Sequence, residues 1–285
     1  MAAEVAKVAE VAEVSFGVAS SQGPRTVTVA YSRAGAGTPL LLLHGIGHHR
    51  QAWDPVVDLL AAEHDVIAVD LPGFGASPAL PDGLAYGLST VVPALGALCA
   101  ALGVERPHVA GNSLGGLLAL ELGREKLVRS VTALSPAGFW SQPERRYAFA
   151  TLRGMRGAAA ALPVPLIERL SHSAAGRAAL TSTIYARPAR RSPEAVVAET
   201  LALRYATGFE QTLSAGRDVV FRDDVPGLPV TVAWGTRDRL LLRRQGVRAK
   251  RAIPEARLVR LPGCGHVPMN DDPARVARVI LDTSR

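Results

Sequence analysis

The chain is expected to fold as a doubly wound α/β domain, a mostly parallel sheet covered by helices, with a helical segment inserted into it. Three observations predict this. Residues 39–43 are a continuous apolar run, and 66–69, 107–110, 128–134 and 229–234 also read as strands buried in the sheet. Between them lie stretches with apolar residues at helical spacing, and strands alternating with helices build parallel sheets. From residue 138 to 227 the alternation stops. Pro163, Pro165, Pro188 and Pro193 punctuate stretches of helical character there, and no strand-like run occurs in about 90 residues. The core is therefore assigned to residues 1–137 and 228–285, and the insertion to 138–227.

Taken in order, residues 1–13 repeat Ala-Glu-Val and Ala-Lys-Val and read either as a frayed helix or as a disordered segment, with no function assigned. Residues 14–20 and 26–33 alternate apolar and polar positions around Ser21-Gln22-Gly23-Pro24, a hairpin signature. The run 39–43 ends in His44-Gly45-Ile46-Gly47. Trp53, Val56, Val57 and Leu60 then mark one face of a helix. The run 66–69 leads into a Gly/Pro-rich loop, Asp70-Leu71-Pro72-Gly73-Phe74-Gly75-Ala76-Ser77. The next helix carries Leu88, Val91, Val92, Leu95, Cys99 and Leu102 on one stripe. Ser89 as its cap would place Pro93 in the first turn, where proline is tolerated. Ser192-Pro193-Glu194 reads as a capped helix start within the insertion. Beyond it, 229–234 ends in Gly235-Thr236-Arg237-Asp238, a helix is expected over about 240–252, and a last buried strand over 257–261 ends in Pro262-Gly263-Cys264-Gly265-His266. Asp272-Pro273 begins a final helix with Val276, Val279 and Ile280 on one face.

Composition narrows the function classes. With 48% hydrophobic and 20% charged residues the chain reads as an ordinary soluble globular protein, and no apolar run approaches a membrane span. The net charge is +7, but the arginines are dispersed, with no run longer than two, and only Lys7, Lys126 and Lys250 are lysines. No nucleic-acid motif accompanies that charge, so a nucleic-acid partner is not expected. The N-terminus lacks a basic region followed by an apolar core, so no secretory leader is expected. Cys99 and Cys264 make no disulfide framework, which suits a reducing cytoplasm. No ligand set with metal spacing is visible, and no metal or cofactor is expected.

The chemistry concentrates at Gly111-Asn112-Ser113-Leu114-Gly115-Gly116, between the run 107–110 and a buried helical stretch beginning at Leu117. A strand, a sharp turn centred on Ser, then a helix is the context of a nucleophile elbow. Gly111 and Gly115 supply the missing bulk that a strained turn needs, and Gly116 would let the helix press on the strand. The helix also aims its free N–H groups at whatever lies beside Ser113, which suits an oxyanion. In an open parallel sheet the carboxyl ends of the strands form the ligand edge, and His44, Asp70 and Ser113 all follow strand ends.

Ser113, Asp238 and His266, in that order and each after a strand, resemble the α/β-hydrolase superfamily, in its serine-nucleophile, esterase-like branch with a helical lid. His44-Gly45, the 70–77 loop, the elbow, Trp234-Gly235-Thr236-Arg237-Asp238 and Gly263-Cys264-Gly265-His266 carry the resemblance across about residues 14–283. It implies a triad in which His266 takes the Ser113 proton and Asp238 fixes and stabilises the imidazole. Asp218, Asp223 and Asp224 are more distant candidates for the acid. The other position such families use, after the sixth strand, holds Ser135. The oxyanion hole would be the backbone N–H groups of Ile46 and Leu114. His44 is expected to organise its loop, Asp70 to hold its own, and His48 and His49 to be exposed loop residues, with the entrance to the site as their alternative place.

Ser in place of Asp at the elbow excludes the epoxide hydrolase and haloalkane dehalogenase chemistries of that superfamily. The resemblance implies hydrolysis of a small or medium carboxylic ester through an acyl-enzyme. Two alternatives remain open. Carbon–carbon hydrolases of the meta-cleavage-product type share the Asn112 elbow, although Ile46-Gly47-His48-His49 departs from their Gly-Pro-Gly pattern and Val267 replaces their Trp. A non-catalytic small-ligand binder or sensor could use the same pocket. The insertion would cover the active edge as a lid. Phe139, Trp140, Tyr147, Phe149, Leu152 and Met155, at its start, are candidates to line the pocket or to form the lid's own core. Its twelve arginines are expected to be solvated.

Overall fold

The computed structural model describes residues 11–21 and 23–285. The Ala/Val repeats through residue 10 lie outside the described residues. The eight strands are β1 (Ala12–Val18), β2 (Arg25–Ala34), β3 (Thr38–Leu43), β4 (His64–Val69), β5 (His108–Asn112), β6 (Ser130–Leu134), β7 (Val230–Gly235) and β8 (Arg257–Leu261). They form one sheet in the order β1-β2-β4-β3-β5-β6-β7-β8. β1 pairs antiparallel with β2, and β2 antiparallel with β4; every other pair is parallel. The N-terminal hairpin starts earlier than its alternation suggests, since Ala12 and Glu13, assigned to the frayed segment, pair with Tyr31 and Ala30.

Helices α1 (Asp54–Ala61), α2 (Leu88–Ala101) and α3 (Leu114–Arg124) follow β3, β4 and β5; α4 (Gln142–Ala161), α5 (Val164–Ser171), α6 (Ala174–Thr181), α7 (Pro193–Tyr205) and α8 (Phe209–Ala215) fill the interval between β6 and β7. α9 (Arg244–Ala252), α10 (Pro268–Asp271) and α11 (Pro273–Ser284) complete the chain. Alternation along the strands decides which face each side chain serves. Leu41 and Leu43 join the core under α2, α3 and α9, whereas Leu40 and Leu42 join the core under α1 and α11, with Trp53, Val56, Leu60, Val276 and Ile280. The continuous Leu40-Leu41-Leu42-Leu43 run is thus the mark of a strand covered twice. Among the described residues no helix is long and apolar enough to cross a membrane.

Three local expectations are corrected. α2 begins at Leu88 on an extended Gly87, so Pro93 lies in the second turn, where its missing N–H leaves a helical carbonyl unserved. The helix after Asp238 begins at Arg244, because the Leu240 and Leu241 N–H groups are drawn to the Asp238 carboxylate instead. β8 is an edge strand with exposed Arg257 and Arg260, not a buried one, and charges on an edge discourage further strand pairing.

One of the tightest approaches in the fold is between β5, α3 and β3. A Cβ on Gly111 would sit 2.0 Å from the Gly115 oxygen, and one on Gly115 would sit 2.1 Å from the Leu43 oxygen. Gly116, to which the close packing was assigned, has more room: its nearest neighbour would be the Pro136 Cβ, at 3.0 Å. Gly115→Ala is therefore expected to destabilise the protein by about 3 kcal/mol, the upper part of the overpacking range. The exposed α4 glycines Gly154 and Gly157 have nothing within 4 Å, and alanine at either should stabilise by up to about 1 kcal/mol through helix propensity. Urea unfolding of the three variants measures both signs.

Candidate active site

Ser113 sits between β5 and α3 with φ 57 and ψ −114, a conformation that ordinary residues avoid. It is held from both sides. Its N–H donates to the Leu134 carbonyl at 3.0 Å, and its own carbonyl accepts from Leu117 at 3.1 Å and Ala137 at 3.0 Å. Asn112 extends the brace, because its amide donates to the carbonyls of Leu134 at 3.0 Å and His266 at 2.9 Å. The elbow and the His266 loop are thereby tied together.

His266 and Asp238 are buried, and His266 Nδ1 lies 2.9 Å from Asp238 Oδ2. Asp238 Oδ1 accepts from Leu240 at 2.9 Å and Leu241 at 2.8 Å. Its turn is locked in place by Trp234, whose indole donates to the Leu241 carbonyl at 2.8 Å. Asp238 Oδ2 accepts a hydrogen bond from Nδ1–H, which leaves Nε2 as the accepting nitrogen. Asp218, Asp223 and Asp224 make no contact with His266. Among the described residues Ser113 Oγ has no hydrogen-bond partner, and it lines the same cavity as His266. Catalytic contacts of this kind often tighten only when substrate is bound.

The Leu114 N–H is the first of α3 and has no carbonyl to bond within the helix; the Ile46 N–H also donates to nothing among the described residues. Gly45 brings the Ile46 loop against the nucleophile, since a Cβ there would lie 3.2 Å from the Ser113 Cβ. His44 shapes this loop: Nδ1 donates to the Gly45 carbonyl at 2.7 Å, and Nε2 accepts from Leu71 N–H at 2.9 Å. Asp70 anchors the facing loop by accepting from the N–H groups of Arg50 and Ala76 and from the Arg50 guanidinium.

Ser113, His266 and the Ile46 loop form the floor of a cavity of about 190 Å³. Its roof comes from α4, residues 179–184 and α7. Met155 lines it, but Phe139, Trp140 and Phe149 do not. Phe139 packs against Phe221, and Trp140 packs edge-on to Phe149 with its indole on the Val219 carbonyl, so these three belong to the core beneath the insertion. Leu152, one helical turn before Met155 and also a candidate from the sequence, lines the cavity as well.

His48 and His49 are buried rather than exposed, because α7 and the 185–191 segment close over them. Arg191 likewise departs from the solvated state expected of the insertion's arginines: it is buried and ion-paired with Glu199 of α7. Sequence reasoning also missed Asp271. Its fully buried carboxylate accepts from Gly265 at 2.8 Å, Ala186 at 3.0 Å and Arg187 at 2.7 Å. It therefore fastens the turn before His266 to the insertion. Nothing local marks it, because two of its three donors lie more than 80 residues away.

Burial holds the imidazoles of His44 and His48 below the ordinary histidine range, and brings His49 down to about 4. These groups are neutral when folded but take up protons near pH 6.5 when unfolded. Stability is therefore full above about pH 6.5 and falls below it, each such histidine adding up to about 1.4 kcal/mol per pH unit. Melting temperatures should drop from pH 7 to pH 5, and His49→Asn should flatten the slope. An unchanged melting temperature across that interval would contradict this assignment.

Residues 40–279 match the model of the alpha/beta hydrolase family. The pimeloyl-[acyl-carrier protein] methyl ester esterase of Aeromonas salmonicida is 30% identical over 261 residues, covering 89% of this chain and 98% of that protein. Among solved structures, a thermophilic esterase from Thermogutta terrifontis superposes with a TM-score of 0.73 at 22% identity, over 94% of this chain and 97% of its own. A meta-cleavage product hydrolase from Pseudomonas fluorescens gives 0.70 at 19%, over 95% and 97%. The two solved structures share the fold, and with the family match across most of its length the chain belongs to the alpha/beta hydrolase family and is a hydrolase of that fold.

Proposed function

We propose that this protein is a serine esterase acting on a small carboxylic ester, with residues 138–227 as the lid over its active edge. The observation that carries this reading is the 2.9 Å Asp238–His266 contact in a cavity that Ser113 shares. In the proposed reaction Ser113 Oγ attacks the ester carbonyl and His266 Nε2 takes its proton. The carbonyl oxygen, now negative, is held by the Ile46 and Leu114 N–H groups. His266 returns the proton to the leaving alcohol, and the acyl group stays on Ser113. Water then attacks the acyl-enzyme with His266 again as base, releasing the acid. Asp238 keeps the imidazole in the Nδ1–H tautomer and stabilises the imidazolium.

The named activity of the Aeromonas relative on a methyl ester supports this chemistry. The cavity supports a modest substrate, since about 190 Å³ is below the usual range for a drug-sized ligand.

A p-nitrophenyl ester series from acetate to dodecanoate tests the reading. Turnover is expected to favour the short esters and to vanish in Ser113→Ala. Asp238→Asn should lower kcat by about 10⁴-fold, because the wrong tautomer is then held. Absence of Ser113-dependent turnover on every ester would refute the esterase reading; turnover of a meta-cleavage product instead would assign carbon–carbon hydrolysis. Asp271→Asn turns an amide N–H toward a backbone donor beside His266. It should lower kcat by about 100-fold, as a displacement near 1 Å does, with KM for the short esters little changed.

A further inference from the structure

The positive charge of this chain is not spread evenly. Residues 237–260 carry eight arginines and one lysine against Asp238 and Glu255, an excess of seven that equals the net charge of the whole protein. The remainder is balanced, with 23 cations and 23 anions. The fold gathers that excess on one flank. α9 covers the sheet beside β8, its last strand, and a Cβ on Gly246 of α9 would lie 3.4 Å from Leu258 Cδ1 of β8. α9 buries Gln245, Gly246 and Ala249 and turns Arg244, Val247, Lys250 and Arg251 to solvent. Leu258 and Arg260, which share the α9 face of β8, are exposed as well.

Folding does not account for all of this charge. Arg244 and Arg248 share Glu144, and Arg257 reaches Asp282. Arg237, Arg239, Arg243, Lys250, Arg251 and Arg260 are exposed and have no ion-pair partner among the described residues. Lys250 has a local role, since its ammonium donates to the Pro254 and Ala256 carbonyls beyond the end of α9. Edge protection accounts for Arg260. Arg243 has no such return: it stands at the N-terminus of α9, where a cation opposes the helix dipole. Like charges crowded together repel, a cost that an anionic surface laid over them removes.

Val247 and Leu258, 50% and 38% exposed, lie within this field. These two side chains discriminate among polyanions. A phosphate backbone gives them nothing to pack against, whereas at a lipid interface apolar side chains sink between the headgroups that the arginines bind. A second copy would set like charge against like. We infer that the α9–β8 face docks this protein on an anionic lipid surface, as a peripheral contact and not a span. Docking requires nothing of the esterase reading. It does place the candidate site, because the loop from Arg237 to Arg243 also supplies Asp238 and the cavity-lining Leu240, and Arg239 ties that loop to the insertion through the Ser182 carbonyl at 3.1 Å. Bound through this face, the protein holds its cavity beside the lipid surface.

Co-sedimentation with vesicles tests this, using phosphatidylcholine alone and phosphatidylcholine mixed with phosphatidylglycerol. Binding is expected to the mixed vesicles at low salt, and to fall at least 10-fold at about 1 M salt, where the screening length is about 3 Å. Arg243→Gln with Arg251→Gln should weaken it about 30-fold, whereas Arg169→Gln with Arg217→Gln, which neutralises two exposed, unpaired cations of the insertion, should change it by less than about 3-fold. Val247→Ser with Leu258→Ser should weaken it about 10-fold through lost apolar burial. Thermal melts verify that each variant folds. No binding to the mixed vesicles at low salt overturns the proposal, and so does an equal loss in the two arginine pairs, which would mean that net charge alone is at work. Unchanged affinity in folded Val247→Ser with Leu258→Ser overturns the lipid interface. Binding of a duplex oligonucleotide that depends on Arg243 and Arg251, without vesicle binding, would assign the face to nucleic acid instead.

Discussion

The constraint on which the rest of this structure depends is the contact between β5 and α3 at the elbow. Ser113 can hold φ 57 only because its N–H and C=O are each bonded to the sheet or helix around it, and because Gly111 and Gly115 let two backbones approach where any side chain would collide. Strain of this kind costs about 1–3 kcal/mol and persists only where the surroundings over-determine it. The return is geometric. The hydroxyl stands at the carboxyl edge of the sheet, beside the first free N–H of α3, and the Ile46 loop closes in because Gly45 has no side chain to keep it away.

Around that fixed point the other chemical groups are positioned by hydrogen bonds that bridge separate parts of the chain. Asn112 joins the elbow to the His266 loop, and Asp271 joins that loop to residues 186 and 187 of the insertion. The helical segment is therefore anchored beside the candidate base. A carboxylate suits this task, since it can accept from three backbone N–H groups at once while an amide or hydroxyl cannot.

The cavity combines two kinds of wall. Leu152, Met155 and Leu203 offer apolar surface, and Glu199 and His48 line it on the polar side, backed by Tyr185 and Arg191.

Much of the fold was legible in the chain because its signals are local. Runs such as Leu40-Leu41-Leu42-Leu43 declare strands covered on both faces, and Gly111-Asn112-Ser113-Leu114-Gly115-Gly116 declares a turn that few other residues could make. Ser113, Asp238 and His266 stood out as candidates for the same reason, each lying just past a strand in a short, glycine-marked segment. The insertion's helices were legible as helices, but not their orientation: Met155 faces the cavity while Phe139, Trp140 and Phe149 face the core. The burial of His48, the pairing of Arg191 with Glu199 and the three-way anchoring by Asp271 were decided only by tertiary structure. Each depends on α4, α7 and the 185–191 segment settling over a sheet edge built from residues far away in sequence, and periodicity within one helix identifies an apolar face without saying what will cover it.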